Sequence, residues 1–246
     1  MAMAGVPLVA AGAASECKKA RCSALPQVLA LDCEMCETVD DATGARDGKA
    51  LVRMSIVDGA GTPLLDTLVA PRGRVVDMRT SCHGITPEHL RDCRFTLAHA
   101  QAAVARLCCP GTVLVGHALH NDLQALGMVH ERVVDTSFLF ALEGEGPSAT
   151  PSLRDLAKAV LDKEIQSGSH SSVTDAVTAL EVAQFALDRG AEALPLIKRG
   201  CGGGKPKNAG MRAQLLVHRI PLGIKAAHLT TAFTKLVRRW SGLSAR

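Results

Sequence analysis

The chain has 246 residues, which is enough for one sizeable domain and some additional segments. Hydrophobic residues make up 47% and charged residues 21%, which excludes a largely disordered chain, and the net charge of +4 is only weak evidence for an anionic partner. Aromatic residues make up 2%, with no tyrosine, which argues against a surface that binds single strands mainly by stacking bases.

The cysteine pattern and the apolar segments indicate the compartment. Nine cysteines without regular spacing favour reduced thiols in an intracellular protein. Cys33 and Cys36 have the spacing of half a zinc site, but no second pair completes it. No stretch approaches the ~18 apolar residues of a membrane span, so no membrane association is expected. Residues 1–26 lack the basic start of a secretory signal and are predicted to form a flexible tail.

The first elements in chain order are three strands. Residues 28–34 form an apolar strand, residues 40–49 a polar turn region, and residues 50–58 and 63–69 two further strands. A tight turn at residues 59–61 makes the second and third strands an antiparallel hairpin, and the first strand is expected to pair with the second.

Strands and helices then alternate. A helix is predicted to start at Thr86-Pro87-Glu88 and to continue to Pro110-Gly111, because a Thr cap, a Pro at the first position and an early Glu all favour a helix start. The elements predicted after it are a strand at 112–115, a helix at 119–126, a strand at 133–134 and helices at 152–161 and 171–188. This order predicts an α/β fold with a mixed β-sheet flanked by helices.

The last part of the chain has a different composition. Residues 198–212 are rich in Gly and Lys and are interpreted as a linker, with a weak nuclear localisation signal as the sharper alternative. Residues 213–246 contain one predicted strand and one amphipathic helix. Such a short strand-helix appendix cannot bury a core alone, so it either docks on the main domain or is a fragment of a larger unit.

Two carboxylates end the first strand in the sequence LALDCEM. Because side chains alternate along a strand, Asp32 and Glu34 point to the same side while Cys33 points to the other. The simpler interpretation is a polar strand end that meets solvent. Two adjacent carboxylates at the end of a buried strand would, however, repel each other, and oxygen ligands of this kind suit Mg²⁺ or Mn²⁺.

Further candidates follow two later elements. Asp122 lies in the first turn or two of the helix that follows a buried strand, where ligands collect in open α/β sheets. Asp175 lies on the first turn of the last helix, and His170 precedes it by five residues. Each residue taken alone has a simpler interpretation. The aspartates could be polar residues at the start of a helix, and the histidine could be a loop residue hydrogen-bonded to the backbone. Together, four carboxylates could hold two divalent ions beside a phosphodiester, and a neutral histidine could accept a proton from water.

The ordered motifs D-x-E, G-H-x-x-x-x-D and H-x-x-x-x-D resemble the histidine variant of the DEDD exonuclease superfamily, whose fold is ribonuclease H-like. The segments LALDCEM, LVRMSIVD, LVGHALHNDLQAL and HSSVTDA resemble eukaryotic RNA exonucleases of the small RNA degrading nuclease group. The resemblance covers residues 28–188 and implies an exonuclease domain at 27–197.

The resemblance also implies roles for single residues. It makes Asp32, Glu34, Asp122 and Asp175 the ligands of two Mg²⁺ or Mn²⁺ ions and His170 the general base. It makes Met35 and, by position, Leu119 walls for the terminal nucleotide, with core packing as the alternative for both.

The expected activity is a 3′-to-5′ exonuclease that degrades short single-stranded RNA to nucleoside 5′-monophosphates. The nucleus is the expected location, with the cytoplasm as the alternative. DNA 3′ ends or ribosomal RNA precursors are alternative substrates, and an inactive RNA-binding module is the alternative of another class. Residues 213–246 resemble the start of an RNA-recognition domain whose signature strand is missing. Asp135 is interpreted as a helix N-cap and Arg53 as a solvent-facing edge charge.

Overall fold

The computed structural model describes residues 6–7, 25–146, 149–166, 168, 170–190 and 193–200. Its strands are β1 Val6–Pro7, β2 Val28–Val39, β3 Arg46–Asp58, β4 Pro63–Leu68, β5 Arg74–Asp77, β6 Val113–Gly116, β7 Met128–Val129 and β8 Val133–Asp135. Six of them form one sheet whose path runs β4-β3-β2-β6-β8, with β5 pairing to β2 outside this path. β1 and β7 form a separate two-stranded parallel pair.

Strand directions in the main sheet are mixed. β2 pairs antiparallel with β3, and β3 pairs antiparallel with β4. β2 pairs parallel with β6, and β6 pairs parallel with β8. The predicted meander and the predicted α/β class are therefore confirmed. Gly61 makes the turn between β3 and β4 with φ of 81°, a left-handed value that glycine adopts without steric cost.

The first hairpin is longer than predicted. β2 continues to Val39 and β3 starts at Arg46, so the last four residues of the predicted turn region 40–49 are strand. These residues are polar because the hairpin arm is largely exposed, and an ion pair of 3.1 Å between Arg46 and Glu37 crosses it. Exposed pairing of this kind produces no apolar alternation, which is why the sequence pattern indicated a loop.

The helices are α1 Thr80–His83, α2 Pro87–Leu90, α3 Leu97–Leu107, α4 His120–Ala125, α5 Leu153–Leu161 and α6 Ser172–Arg189, with a 3₁₀ turn at Thr136–Phe138. No helix in the part of the chain that the structure describes is long and apolar enough to cross a membrane.

The single long helix predicted from Thr86 is wrong, because α2 and α3 are separate. The Phe95 carbonyl accepts a hydrogen bond of 2.7 Å from the Ala70 backbone, which ties the chain to the loop after β4. The Thr96 backbone N–H then donates to the side chain of His99, which starts α3 anew. Apolar residues continue across the break because Phe95 and Leu97 both pack against the core, so the sequence pattern resembles that of one continuous helix.

Both faces of β2 are buried. Leu29 and Leu31 pack on one face against α3 and α4 residues such as Val104. Val28 and Ala30 pack on the other face in a cluster that includes Ala176, Leu180 and Ala183 of α6. This two-sided burial explains the near-continuous apolar run of β2 and fixes the register of the residues that follow it.

The predicted terminal segments fall largely outside the described residues. Of the predicted tail 1–26, the structure describes residues 6–7 and 25–26; of the predicted linker 198–212, it describes the first three residues. The predicted strand-helix appendix at 213–246 lies outside the described residues entirely, so these boundaries stay predictions.

Candidate active site

The end of β2 presents two acidic side chains on the face that α6 covers. Asp32 lies directly opposite Ser55 of β3, and Glu34 lies opposite Arg53. Glu34 is 8% exposed and Asp32 is partly buried. The Oε1 atom of Glu34 is buried and has no hydrogen-bond partner. A buried carboxylate oxygen without a donor is unfavourable unless a ligand satisfies it.

Asp122 reaches this site from α4, the helix that follows β6. Its side chain is 4% exposed, and Oδ1 accepts a hydrogen bond of 2.9 Å from the Cys33 backbone N–H. Cys33 lies between Asp32 and Glu34, so this bond fixes Asp122 beside both of them. The structure thus brings together Asp32, Glu34 and Asp122, which the sequence places after the ends of two different strands.

Asp175 and His170 come from the start of α6 and the loop before it. Asp175 is 4% exposed, and its Oδ2 accepts a hydrogen bond of 2.8 Å from Gln166 Nε2. Its Oδ1 is buried without a partner. His170 Nδ1 lies 3.7 Å from Asp175 Oδ2, and the His170 side chain is 38% exposed. The backbone N–H of His170 donates to the Cys82 carbonyl at 2.8 Å, which anchors the loop to α1.

The four carboxyl groups perturb one another. Burial raises the pKa of Asp32 well above its ordinary value, and the charges of Asp122, Asp175 and Glu34 raise it further. Burial, followed by the charge of Asp175, raises the pKa of Glu34 to about 7. Burial also raises the pKa of Asp122 to about 8 and raises the pKa of Asp175. Burial, joined at Asp32 and Glu34 by repulsion from neighbouring carboxylates, therefore favours the protonated forms of these groups, and a cation would relieve this cost.

The donor set fits a hard divalent cation. Carboxylate oxygens are the ligands that Mg²⁺ and Mn²⁺ prefer, and two of these oxygens are buried without any other partner. Among the described residues, however, no three His, Cys, Asp or Glu side chains are already arranged around one point as metal ligands.

The two predicted walls for the terminal nucleotide differ in exposure. Met35 is partly exposed and packs against the edge of the core cluster on the α3–α4 face. Leu119 is 1% exposed and belongs to that cluster itself, so its packing role is evident. Contact of either residue with a nucleotide stays a prediction.

Three residues around this site differ in how well the sequence predicted them. Gln166 holds Asp175, yet a lone loop glutamine carries no recognisable signal. Arg53 was interpreted wrongly as a solvent-facing edge charge: β3 is an interior strand, and the guanidinium makes a two-point ion pair with Asp66. Asp135 accepts the Ser137 N–H at 3.0 Å as the cap of the 3₁₀ turn, which confirms the N-cap interpretation.

Comparison with known proteins gives relatives of one kind. No protein-family model matches the chain. Small RNA degrading nuclease 3 of Arabidopsis thaliana is 34% identical over 219 residues, which are 86% of this chain and 27% of that protein. Human RNA exonuclease 5 is 39% identical over 163 residues, 65% of this chain and 20% of that protein. This chain is a homologue of the RNA exonucleases.

Solved structures agree with this homology. The Pan2 catalytic unit of Neurospora crassa is 27% identical with a TM-score of 0.54, over 65% of this chain and 27% of that one. A Pan2 exonuclease module of Saccharomyces cerevisiae in complex with AAGGA RNA is 28% identical with a TM-score of 0.53, over 65% of this chain and 29% of that one. The predicted ribonuclease H-like exonuclease fold is therefore confirmed.

The chain spans only a part of these proteins. It covers 27% of the plant nuclease and 20% of the human exonuclease. The similarity includes the exonuclease fold, and exonucleases of this family are generally dependent on a divalent metal. The activity, substrates and partners of the whole protein are therefore proposals.

Proposed function

We propose that this chain is a metal-dependent 3′-to-5′ exonuclease that degrades short single-stranded RNA. The observation that supports it most directly is the set of four carboxyl groups gathered at the end of β2, where buried oxygens of Glu34 and Asp175 have no partner. A histidine with one ring nitrogen near Asp175 completes the set. The names of the relatives, small RNA degrading nuclease and RNA exonuclease, favour RNA as the substrate.

Asp32, Glu34, Asp122 and Asp175 would hold two Mg²⁺ or Mn²⁺ ions. Bound ions of this kind supply charge neutralisation for the attacking and leaving oxygens of a phosphodiester. The chain's own residues provide the site: the Cys33 N–H orients Asp122, and Gln166 orients Asp175.

His170 is the proposed general base. With Nδ1 turned toward Asp175, its Nε2 is the atom that would take a proton from the attacking water. The water oxygen forms a bond to the phosphorus of the terminal phosphodiester, and the bond from phosphorus to the 3′ oxygen breaks. The products are a nucleoside 5′-monophosphate and an RNA that is one nucleotide shorter, whose new 3′ oxygen receives a proton.

The test uses a 5′-labelled single-stranded RNA of about twenty nucleotides with Mg²⁺, with EDTA, and with two variants of one helix. Asp175→Asn removes a proposed ligand, whereas Asp188→Asn changes an exposed aspartate near the other end of α6, which is bonded to Gln184. We expect a ladder that shortens from the 3′ end only with metal, loss of about 100-fold or more in rate for Asp175→Asn, and a normal rate for Asp188→Asn.

The alternatives are outcomes of the same experiment. A matched DNA strand degraded at a similar rate would make DNA 3′ ends a substrate, and a structured ribosomal precursor degraded faster than the short strand would favour that target. RNA that is bound yet stays intact with a folded protein and metal would refute the enzyme and support the binding module. Location in the nucleus stays a prediction.

A further inference from the structure

A hydrogen-bonded network lies next to the carboxylates on the same face of the sheet. It joins Arg53 and Ser55 of β3, Asp66 of β4 and Ser172 at the start of α6. Asp66 lies directly opposite Ser55, and Ser55 lies directly opposite Asp32. Residues directly opposite in an antiparallel pair share a face, so the network is continuous with the candidate active site.

The direction of each hydrogen bond in this network can be assigned. Arg53 donates from Nε and Nη2 to the two oxygens of Asp66, each at 2.8 Å. Ser55 Oγ donates to Asp66 Oδ1 at 2.8 Å, because an ionised carboxylate only accepts. Ser55 has no second proton, so Ser172 Oγ donates to Ser55 Oγ across 2.7 Å. Both serines are fully buried, so the bond between them lacks competition from water, whereas Asp66 and its contact with Arg53 are partly exposed to solvent.

One end of the network touches the element that carries the remaining site residues. Ser172 is the first residue of α6, three positions before Asp175 and two after His170. The bond to Ser55 therefore fixes the start of that helix against β3. A helix start held at a buried point keeps its first turn, and the side chain of Asp175, in one place relative to β2.

The other end of the network holds the guanidinium of Arg53. Arg53 lies opposite Glu34, and its charge partly offsets the rise that burial causes in the pKa of Glu34 and of Asp32. Glu34 offers an unpartnered buried oxygen, yet Arg53 pairs with Asp66. A guanidinium that turned toward Glu34 would satisfy the oxygen that a divalent ion needs. Asp66 holds the competing cation in the opposite direction with a two-point contact.

We propose that Asp66 is a positioning residue that keeps Arg53 away from Glu34 and so leaves the carboxylates open for a divalent ion. Through Ser55 and Ser172, the same carboxylate fixes the start of α6. Asp66 touches neither substrate nor metal in this proposal, which rests on the function proposed above.

The principal test measures Mn²⁺ binding by calorimetry, without RNA. Asp66→Asn turns a two-point acceptor into a group with a donor facing Arg53, and we expect Mn²⁺ affinity to fall about 10-fold or more. The double variant Asp66→Asn/Arg53→Gln removes the released cation and should recover most of that loss. The matched control is Asp41→Asn, which breaks an exposed ion pair with Arg74 and should bind Mn²⁺ normally.

Three results would overturn the proposal. One is wild-type Mn²⁺ affinity in folded Asp66→Asn. A second is a double variant that binds as weakly as the single one, because the loss would then come from general loosening. If Asp66→Asn does not fold, Arg53→Lys takes its place: it keeps the charge but not the two-point contact, and unchanged Mn²⁺ affinity in it refutes the proposal.

Activity separates this proposal from the proposed function. With RNA, Asp66→Asn should need more Mg²⁺ for half-maximal rate, with little change in KM for RNA at saturating metal. A wild-type protein that binds Mn²⁺ but leaves RNA intact refutes the exonuclease alone. A wild-type protein that degrades RNA, with Asp66→Asn identical to it in metal binding, refutes the positioning role alone.

Discussion

The crowded carboxylates predict that the metal-free protein loses stability as the pH rises. The pKa of Glu34 is raised in the folded state from 4.5 to about 7, first by burial and then by Asp175. A raised pKa means that the folded state binds the proton more tightly than the unfolded state does. The stability of the metal-free protein is therefore highest at low pH within this window, and it falls as the pH rises from about 4.5 to about 7.

The magnitude follows from the same pKa values. The difference for Glu34 alone corresponds to roughly 3 kcal/mol as an upper limit. Since about 1 kcal/mol changes the Tm of a domain of this size by ~2–4 °C, this upper limit corresponds to a decrease in Tm of roughly 6–12 °C. The pKa of Asp122, raised to about 8, extends the decrease above neutral pH. At lower pH, protonation of other carboxylates favours unfolding, which sets the lower end of the pH range in which this decrease in Tm can be measured.

The assay is a thermal melt in EDTA at several pH values, repeated with Mg²⁺. Glu34→Gln removes the charge at nearly constant shape, so we expect it to raise the Tm of the metal-free protein at about pH 8 while it abolishes RNA degradation. Mg²⁺ should raise the Tm of the wild type more at pH 8 than at pH 5, since ionised carboxylates bind it better. Glu164→Gln, at an exposed glutamate, should leave the curve unchanged.

Two results would refute this reasoning. One is a Tm for metal-free Glu34→Gln at pH 8 that lies below that of the wild type. The other is a wild-type melt in EDTA with no decrease in Tm between pH 5 and pH 8. Either would mean that Glu34 is not destabilised by its neighbours.

Three further substitutions test the geometry around the site. Gly116→Ala would put a Cβ atom 2.7 Å from Leu119 Cδ1, so we expect a loss of about 1–3 kcal/mol in urea unfolding; an unchanged midpoint would show that Leu119 moves freely. Asp135→Ala removes the acceptor of the Ala118 N–H at 2.8 Å and should cost about 1–2 kcal/mol in the same assay, with Asp135→Asn less affected. His170→Ala should lower kcat about 100-fold or more at unchanged Tm, because the side chain is partly exposed; a normal kcat would exclude it as the base.

The site could be predicted from the sequence because its members occupy the ends of regular elements. Asp32 and Glu34 follow a buried strand, Asp122 follows another, and Asp175 lies in a first helical turn. Alternation along strands and the meeting of strand ends then place them together without any knowledge of loops. The position of the loop residue His170 was harder to predict from the sequence, because it depends on a hydrogen bond to the Cys82 carbonyl that no sequence pattern indicates.

The parts of the fold that the sequence misplaced have a common physical origin. The first residues of β3 and most of the strand β5 are exposed, so their pairing produces no apolar periodicity. The break between α2 and α3 depends on one long-range hydrogen bond, from Ala70 to Phe95. The local sequence pattern therefore predicted the elements that pack in the core. Exposed strand pairing and a long-range hydrogen bond determined the elements that it misplaced.

The site's carboxylates follow one rule of construction. In Asp175, one oxygen accepts from Gln166 while the other is buried and free, and Asp122 is oriented by a backbone N–H on one of its oxygens. The protein thus fixes Asp122 and Asp175 by one oxygen each and leaves the electrostatic cost of the crowded carboxylates uncompensated. That cost is sustained because β2 is packed on both faces by apolar residues, which hold the strand in place whether or not the carboxylates favour it. A binding free energy for cations is stored in the fold itself, which is why metal affinity and metal-free stability are expected to change in opposite directions when one carboxylate is neutralised.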